Sequence, residues 1–171
     1  GENVICMDSH ILLSPGSFDV VPEGEHLYQG PMRSSLNKFY THWVPNWGKN
    51  MWGVWGPTVS TLPKEPFEIW AIGAGFLCFR RDAWLGFNPK FRGFGGETGY
   101  IQEKYRKHGR KVFCDPTKIW THLFKQHDEY LNPISDIIRN YVIGFKEIGL
   151  PLEGISLAFG KSAVDSVLKT I

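Results

Sequence analysis

Residues 67–79 read FEIWAIGAGFLCF and contain two apolar runs separated by a Gly-Ala-Gly segment. Short apolar runs bounded by glycine are typical of buried β-strands. We therefore predict one strand at 67–72 and a second at 76–79. The Arg-Asp pair that follows predicts a single helical turn at 81–84. This stretch is expected to belong to a buried β-sheet.

Apolar residues downstream recur at helical spacing. Residues 97–108 have this periodicity, and Gly109 supplies a C-terminal stop. A longer helix begins at Pro133 and ends at Gly149, with the clearest apolar face in the chain. A weaker amphipathic segment closes the chain at 164–171. The second half of the sequence is therefore predicted to carry the helices.

The remaining sequence predicts short strands and one irregular region. Apolar runs predict strands at 4–7, 27–29, 111–114 and 118–121. Ser14-Pro15 has the form of an N-cap and a first-turn proline, which predicts a short helix ending at Pro22. Residues 24–66 have no period, so a long excursion with at most the strand at 27–29 is expected. The prediction is a single α/β domain over residues 1–171, with a mixed sheet and flanking helices.

Composition and charge exclude several classes of protein. The 171 residues are 42% hydrophobic and carry a net charge of +2 with no basic run, which argues against nucleic-acid binding. No apolar run reaches the ~18 residues of a membrane helix, so no membrane segment is expected. Cys6, Cys78 and Cys114 each lie in an apolar stretch, which predicts buried free thiols in a reducing compartment. We therefore expect a cytoplasmic protein.

Candidate metal ligands follow two of the predicted strands. Asp8 and His10 alternate around one residue after the strand at 4–7, and in extended geometry their side chains emerge on the same side. His122 follows the strand at 118–121. One carboxylate and two imidazoles suit Mn²⁺ or another borderline cation better than Ca²⁺. A solvated turn is the alternative explanation of the Asp8 and His10 spacing.

Two further features are candidates for binding an acceptor. Glu97 follows two glycines at the start of a predicted helix, where it could orient or deprotonate a hydroxyl, or simply favour the helix N-terminus. Four tryptophans lie in the irregular region. They are Trp43, Trp47, Trp52 and Trp55. Their flat rings suit a sugar platform, and a buried aromatic cluster is the alternative.

Four elements of the sequence resemble the polypeptide N-acetylgalactosaminyltransferases and related bacterial and phage glycosyltransferases. Residues 7–10, MDSH, resemble their metal motif, and residues 74–79, AGFLCF, are similar to the glycine-rich strand that approaches the donor sugar through Gly75. Residues 93–97, GFGGE, resemble their W-G-G-E element with phenylalanine in place of tryptophan. Residues 122–127, HLFKQH, resemble a later H-V-F-R-K-x-H segment, one residue shorter. The elements occur in the family's order.

The resemblance implies the fold and activity of a GT-A-type glycosyltransferase. It implies that Asp8, His10 and His122 hold Mn²⁺ or another divalent cation on the diphosphate of a UDP-sugar. Lys125 and His127 would add positive charge to the same phosphates. The expected reaction moves a sugar from the UDP-sugar donor to a hydroxyl of a glycan or other acceptor.

Two departures from the family pattern leave alternatives open. Many inverting relatives have aspartate after the glutamate, and Thr98 stands there in this chain, so the stereochemical outcome stays open. Only a few residues precede Asp8, so we expect the metal- and acceptor-binding half without the N-terminal nucleotide-binding half, as a fragment or as a minimal enzyme that self-associates as a homo-oligomer. The rival functions are a non-catalytic glycan-binding remnant of the fold and a metal-dependent phosphoester hydrolase.

Overall fold

The computed structural model describes residues 1–19, 23–34, 36–123 and 132–171. In this part of the chain the strands are β1 (Asn3–Met7), β2 (Ile11–Leu13), β3 (Leu27–Gln29), β4 (Met32–Arg33), β5 (Phe39–Tyr40), β6 (Trp43–Gly48), β7 (Met51–Trp55), β8 (Phe67–Glu68), β9 (Phe76–Arg80), β10 (Val112–Cys114) and β11 (Trp120–His122). The helices are α1 (Glu97–Lys107), α2 (Ile134–Ile148), α3 (Glu153–Phe159) and α4 (Lys161–Leu168), and a 3₁₀ turn covers Arg81–Ala83.

A five-stranded mixed sheet in the order β1-β9-β3-β10-β8 forms the centre of the fold. The β3–β10 pair is parallel and the other pairs are antiparallel. The predicted strand at 76–79 is confirmed, and it is buried because layers pack on both faces of the sheet at β9. The prediction for 67–72 is only partly right, because the strand ends at Glu68. Ile72 is nevertheless buried, and its amide donates to Gln102 Oε1 at 2.9 Å.

The two faces of this sheet pack against different layers. On one face Leu27, Leu77 and Val112 pack with Tyr100 and Ile101 of α1. The opposite face packs against a four-stranded sheet in the order β2-β11-β4-β5. The buried residues of that second interface are Tyr28, Met32, Phe76, Cys78 and Trp120. Strand β1 is at an edge of the first sheet and β2 at an edge of the second, so the chain passes from one sheet to the other between them.

The predicted irregular excursion at 24–66 is wrong. Strands β6 and β7 form an antiparallel hairpin in this region, with Trp43 opposite Trp55. Its turn contains Lys49 and Asn50, which both have positive φ, at 49° and 62°. Such backbone angles match the right-handed twist of paired strands. The hairpin packs on the three C-terminal helices through Trp52, which belongs to the same core as residues of α2, α3 and α4.

The predicted helix that begins at Ser14 is also wrong where the structure describes it. Residues 15–19 form turns. The Ser17 hydroxyl donates to Ser14 O at 2.7 Å and lies 3.3 Å from Ile119 O, so a local bond and a contact with the residue before β11 hold the segment. Side-chain bonds of this type compete with helix formation.

The three cysteines differ in burial. All are free thiols, as predicted, and Cys78 and Cys114 are buried. The prediction is wrong for Cys6, which is exposed because β1 is an edge strand. Burial raises the pKa of Cys78 to about 11 and that of Cys114 to about 12, so both stay protonated at neutral pH. Among the described residues, no helix combines the length and the apolar character needed to cross a bilayer.

Candidate metal centre

Asp8 lies immediately after β1, where the first sheet ends. Its backbone amide donates to Gly75 O at 3.1 Å, which extends the β1–β9 pairing one step beyond Met7 and Phe76. This bond fixes the backbone that carries the carboxylate. The side chain itself is 46% exposed and is therefore open to a ligand.

His10 and His122 are brought together by the second sheet. Strands β2 and β11 pair antiparallel with His122 opposite Ile11, and the Leu123 amide donates to His10 O at 2.9 Å. The two imidazole rings are perpendicular, with centroids 4.4 Å apart. Residues 9 and 10 form a turn, so the extended geometry predicted between Asp8 and His10 is wrong. The turn directs the chain from the first sheet into the second.

The structure brings the three predicted ligands into one cluster. One potential ligand atom from each of Asp8, His10 and His122 lies within 4.8 Å of the others. The distance from His122 Nε2 to Asp8 Oδ2 is 3.8 Å. Two ligands ~2.1–2.2 Å from one ion are this far apart when they subtend roughly 120–130° at the ion. The donor set therefore fits a single borderline cation such as Mn²⁺, and its role as a metal site stays a prediction.

A cavity of about 570 Å³ opens beside this cluster. Asp8 and His122 line it together with Glu97, Thr98, and Gly95 and Gly96 of the predicted GFGGE element. Its aromatic lining residues are Trp43, Trp52, Trp55, Phe94, Trp120 and Tyr141. Two of the three candidate metal ligands, Asp8 and His122, thus border the same space as the candidate acceptor residue.

Glu97 is the first residue of α1 and is held by the loop before it. Its Oε2 accepts a hydrogen bond from the Gly95 amide at 2.7 Å. Gly95 and Gly96 have φ of 113° and 90°, which favour glycine. A Cβ on Gly96 would lie 3.3 Å from Asn140 Cβ, so the glycines bring the loop close to α2 as well as to the cavity. The catalytic role of Glu97 stays a prediction.

Asn140 of α2 clamps this glycine loop and was not predicted. Its side chain is buried, and its Nδ2 donates to Arg92 O at 2.8 Å and to Gly95 O at 2.9 Å. Its Oδ1 accepts from the Arg92 amide at 2.8 Å. The only sequence signal is a polar residue between Ile138 and Tyr141 on the buried side of a helix. Such a residue requires polar partners, which the sequence does not identify.

Tyr141, the next residue along α2, binds the β6–β7 hairpin. Its hydroxyl accepts a hydrogen bond from the Trp52 amide at 2.8 Å. Burial raises the pKa of Tyr141 to about 12, so the neutral phenol persists at physiological pH. One turn of α2 therefore holds the glycine loop through Asn140 and the tryptophan hairpin through Tyr141.

The four tryptophans divide between the cavity and the core. Trp43, Trp52 and Trp55 line the cavity, although Trp43 and Trp52 are largely buried. Trp47 packs on Tyr141, Phe145 and Phe159 and is not among the lining residues. Three of the four rings therefore line the cavity beside the candidate metal ligands, as predicted. Their contact with a sugar stays a prediction.

The remaining predicted donor-binding residues differ in what the structure says of them. Gly75 lines the cavity, and a Cβ there would lie 2.6 Å from the Trp120 ring. The glycine is therefore required by this packing, whether or not a donor sugar approaches it. Lys125 and His127 lie outside the described residues.

Replacement of Asn140 by aspartate is expected to loosen the glycine loop. The carboxylate would retain the bond from the Arg92 amide but face Arg92 O and Gly95 O without a hydrogen to donate. We expect a loss of about 1–3 kcal/mol in unfolding free energy and faster amide exchange at Gly95. Asn46, which is exposed, offers the same substitution as a control. Equal stability and exchange in the two variants would show that the clamp is dispensable.

Comparison with known proteins finds a similar fold among solved structures. No protein-family model matches the sequence, and no curated protein matches it. Among solved structures, the crystal structure of GalNAc-T7 with UDP, GalNAc and Mn²⁺ superimposes with a TM-score of 0.66 at 16% sequence identity. The chain has a GalNAc-T-like glycosyltransferase fold. The match covers 85% of this chain and 31% of GalNAc-T7, and at this identity the likeness extends to the fold alone.

Proposed function

We propose that the chain is a divalent-metal-dependent glycosyltransferase that uses a UDP-sugar donor and a hydroxyl acceptor. The observation that carries this proposal is the cluster of Asp8, His10 and His122, beside a cavity that Asp8, His122 and Glu97 line. The fold likeness to GalNAc-T7, whose structure contains UDP and Mn²⁺, supports it independently of the site geometry.

The candidate ligands suit a diphosphate leaving group. In glycosyl transfer the acceptor oxygen bonds to the anomeric carbon, the bond from that carbon to the diphosphate oxygen breaks, and UDP departs with the bonding electrons. A divalent cation supplies positive charge to the departing diphosphate. Asp8, His10 and His122 would hold that cation, and Gly75 would allow the donor sugar to approach β9.

Glu97 is the candidate residue for orienting or deprotonating the acceptor hydroxyl. The acceptor hydroxyl loses its proton as it attacks, and a carboxylate on the same cavity is suited to receive it or to orient the hydroxyl. The bond from the Gly95 amide holds Oε2 of this carboxylate, which limits the rotamers of the side chain.

Calorimetric titration with UDP tests the proposal. Protein freed of metal with EDTA would be titrated with UDP, with and without added Mn²⁺. We expect UDP to bind about 10-fold more tightly or better with Mn²⁺, because cation and diphosphate share one site. Uridine, which lacks the diphosphate, is the matched ligand and should not respond to the metal.

The titration has outcomes that oppose the proposal. Equal UDP affinity with and without Mn²⁺, or no UDP binding in either case, would contradict a metal–diphosphate site. A separate assay with phosphate esters tests the rival hydrolase. Release of inorganic phosphate without sugar transfer would favour that function.

A further inference from the structure

Three exposed apolar side chains surround the candidate cavity. They are Met51, Phe94 and Ile134, with exposed fractions of 41%, 62% and 54%. Each lines the same cavity from a different element. Met51 is the first residue of β7, Phe94 lies in the glycine loop, and Ile134 is the first residue of α2. We call this set the apolar rim. Three separate segments thus expose apolar surface around one cavity.

Local folding does not require these three side chains to be exposed at one place. Single exposed apolar residues are common on protein surfaces and carry no meaning alone. Several around one concave site, continuous with apolar rings inside it, are typical of ligand-binding surfaces. Trp52 and Trp55 line the same cavity as the rim.

The charges of the cavity narrow the chemistry of a ligand on the rim. Asp8 and Glu97 supply carboxylates, and among the described lining residues Lys49 alone has a lysine or arginine side chain. A cation held by Asp8 and the histidines would be engaged with the donor diphosphate. An acidic acceptor near Glu97 would therefore meet the like charge of that carboxylate, whereas a neutral apolar group would meet matching surface.

We propose that the acceptor is a neutral glycoside with an alkyl or aryl group, which packs on the apolar rim while its sugar hydroxyl lies near Glu97. This inference rests on the proposed function, because Glu97 defines where the acceptor hydroxyl lies. Burial of methylene or ring carbons on Met51, Phe94 and Ile134 provides the binding energy. The sugar-binding part of the cavity then needs few charged groups.

Binding of simple glycosides tests the substrate class without knowledge of the donor. The probes are methyl, octyl and phenyl β-D-glucoside, with octyl glucoside kept below its micelle concentration. Tryptophan fluorescence reports binding, since Trp43, Trp52 and Trp55 line the cavity. We expect octyl or phenyl glucoside to bind about 10-fold more tightly than methyl glucoside, or better. The stronger of the two distinguishes an alkyl from an aryl acceptor.

Variants of the rim separate this site from general detergent binding. The triple variant Met51→Ser, Phe94→Ser and Ile134→Ser should bring the affinities for octyl and methyl glucoside to within about 2-fold of each other. Leu157→Ser is the matched control, because Leu157 is 87% exposed on α3 and is not a lining residue. The preference for octyl or phenyl glucoside should persist in that control. Thermal denaturation confirms that each variant is folded.

The outcomes distinguish this inference from the proposed function. Equal binding of all three glucosides, or equal loss in the Leu157→Ser control, would overturn the acceptor assignment. If UDP binding still depends on Mn²⁺ in that case, the proposed function stands without it. If UDP does not bind with Mn²⁺ dependence but the triple variant loses octyl glucoside binding, the apolar glycoside site stands. The proposed glycosyltransferase function is then rejected.

Discussion

Replacement of Asp8 by asparagine is expected to lower Mn²⁺ affinity by about 10²-fold or more and sugar transfer by about 10³-fold or more. The amide has nearly the shape of the carboxylate but lacks its negative charge, so only two imidazoles would hold the cation firmly. The Asp8 backbone bond to Gly75 O does not involve the side chain, so the sheet should persist. Calorimetry with Mn²⁺ and a transfer assay measure the two effects.

Asp19 provides the control for the Asp8 variant. It is exposed in the turn that follows β2 and is not a member of the ligand cluster. Asp19→Asn makes the same chemical change and should leave Mn²⁺ affinity and transfer within about 2-fold of the parent. If Asp8→Asn also retains its Mn²⁺ affinity, the cluster is not a metal site.

Replacement of Glu97 by glutamine should lower transfer by about 10²-fold or more and leave Mn²⁺ and UDP affinities nearly unchanged. Glutamine cannot accept the acceptor proton. Its amide oxygen can still accept the bond from the Gly95 amide, so the loop should keep its conformation. The kinetic constants, UDP titration and melting temperature together separate a chemical role from a structural one.

Glu153 offers a matched control, since it is exposed and, like Glu97, is the first residue of a helix. Glu153→Gln removes the same favourable interaction with a helix dipole, worth about 0.3–1 kcal/mol, without touching the cavity. If both variants lose similar stability and both retain full transfer, Glu97 has only the structural role.

The regular elements that sequence predicted best are those with local signals. The apolar run at 76–79 lies in β9, and helical periodicity placed α1 and α2 within a residue or two of their observed bounds. Each of these elements carries its own pattern, and Gly149 ends α2 with a φ of 69° as a helix-stop glycine does.

The hairpin of β6 and β7 had no comparable signal. Its turn places Lys49 and Asn50 at positive φ, where glycine is the usual indicator, and a register shift interrupts the pairing between Val44 and Trp47. Neighbouring glycine and proline residues further obscured the alternation of apolar and polar residues that is typical of a strand. The hairpin depends on Tyr141 and the helices behind it, which lie far along the sequence.

The candidate site shows the same division between local and distant information. Resemblance to a family pointed to Asp8, His10 and His122, whereas spacing alone could not bring His122 to the others. Their approach depends on the pairing of β2 with β11 across more than a hundred residues. Asn140 could not be assigned because its partners are backbone groups of a loop whose path the sequence does not specify.

The glycine loop and the β6–β7 hairpin are both held by α2, which has a consequence for protein engineering. Because Asn140 and Tyr141 are consecutive in α2, a core substitution that shifts this helix would disturb the glycine loop and the hairpin together. The residues of the apolar rim belong to these same segments, but their side chains are partly exposed and take no part in the hydrogen bonds of Asn140 and Tyr141. Libraries that diversify Met51, Phe94 and Ile134 can therefore explore new ligands while the scaffold around α2 stays constant.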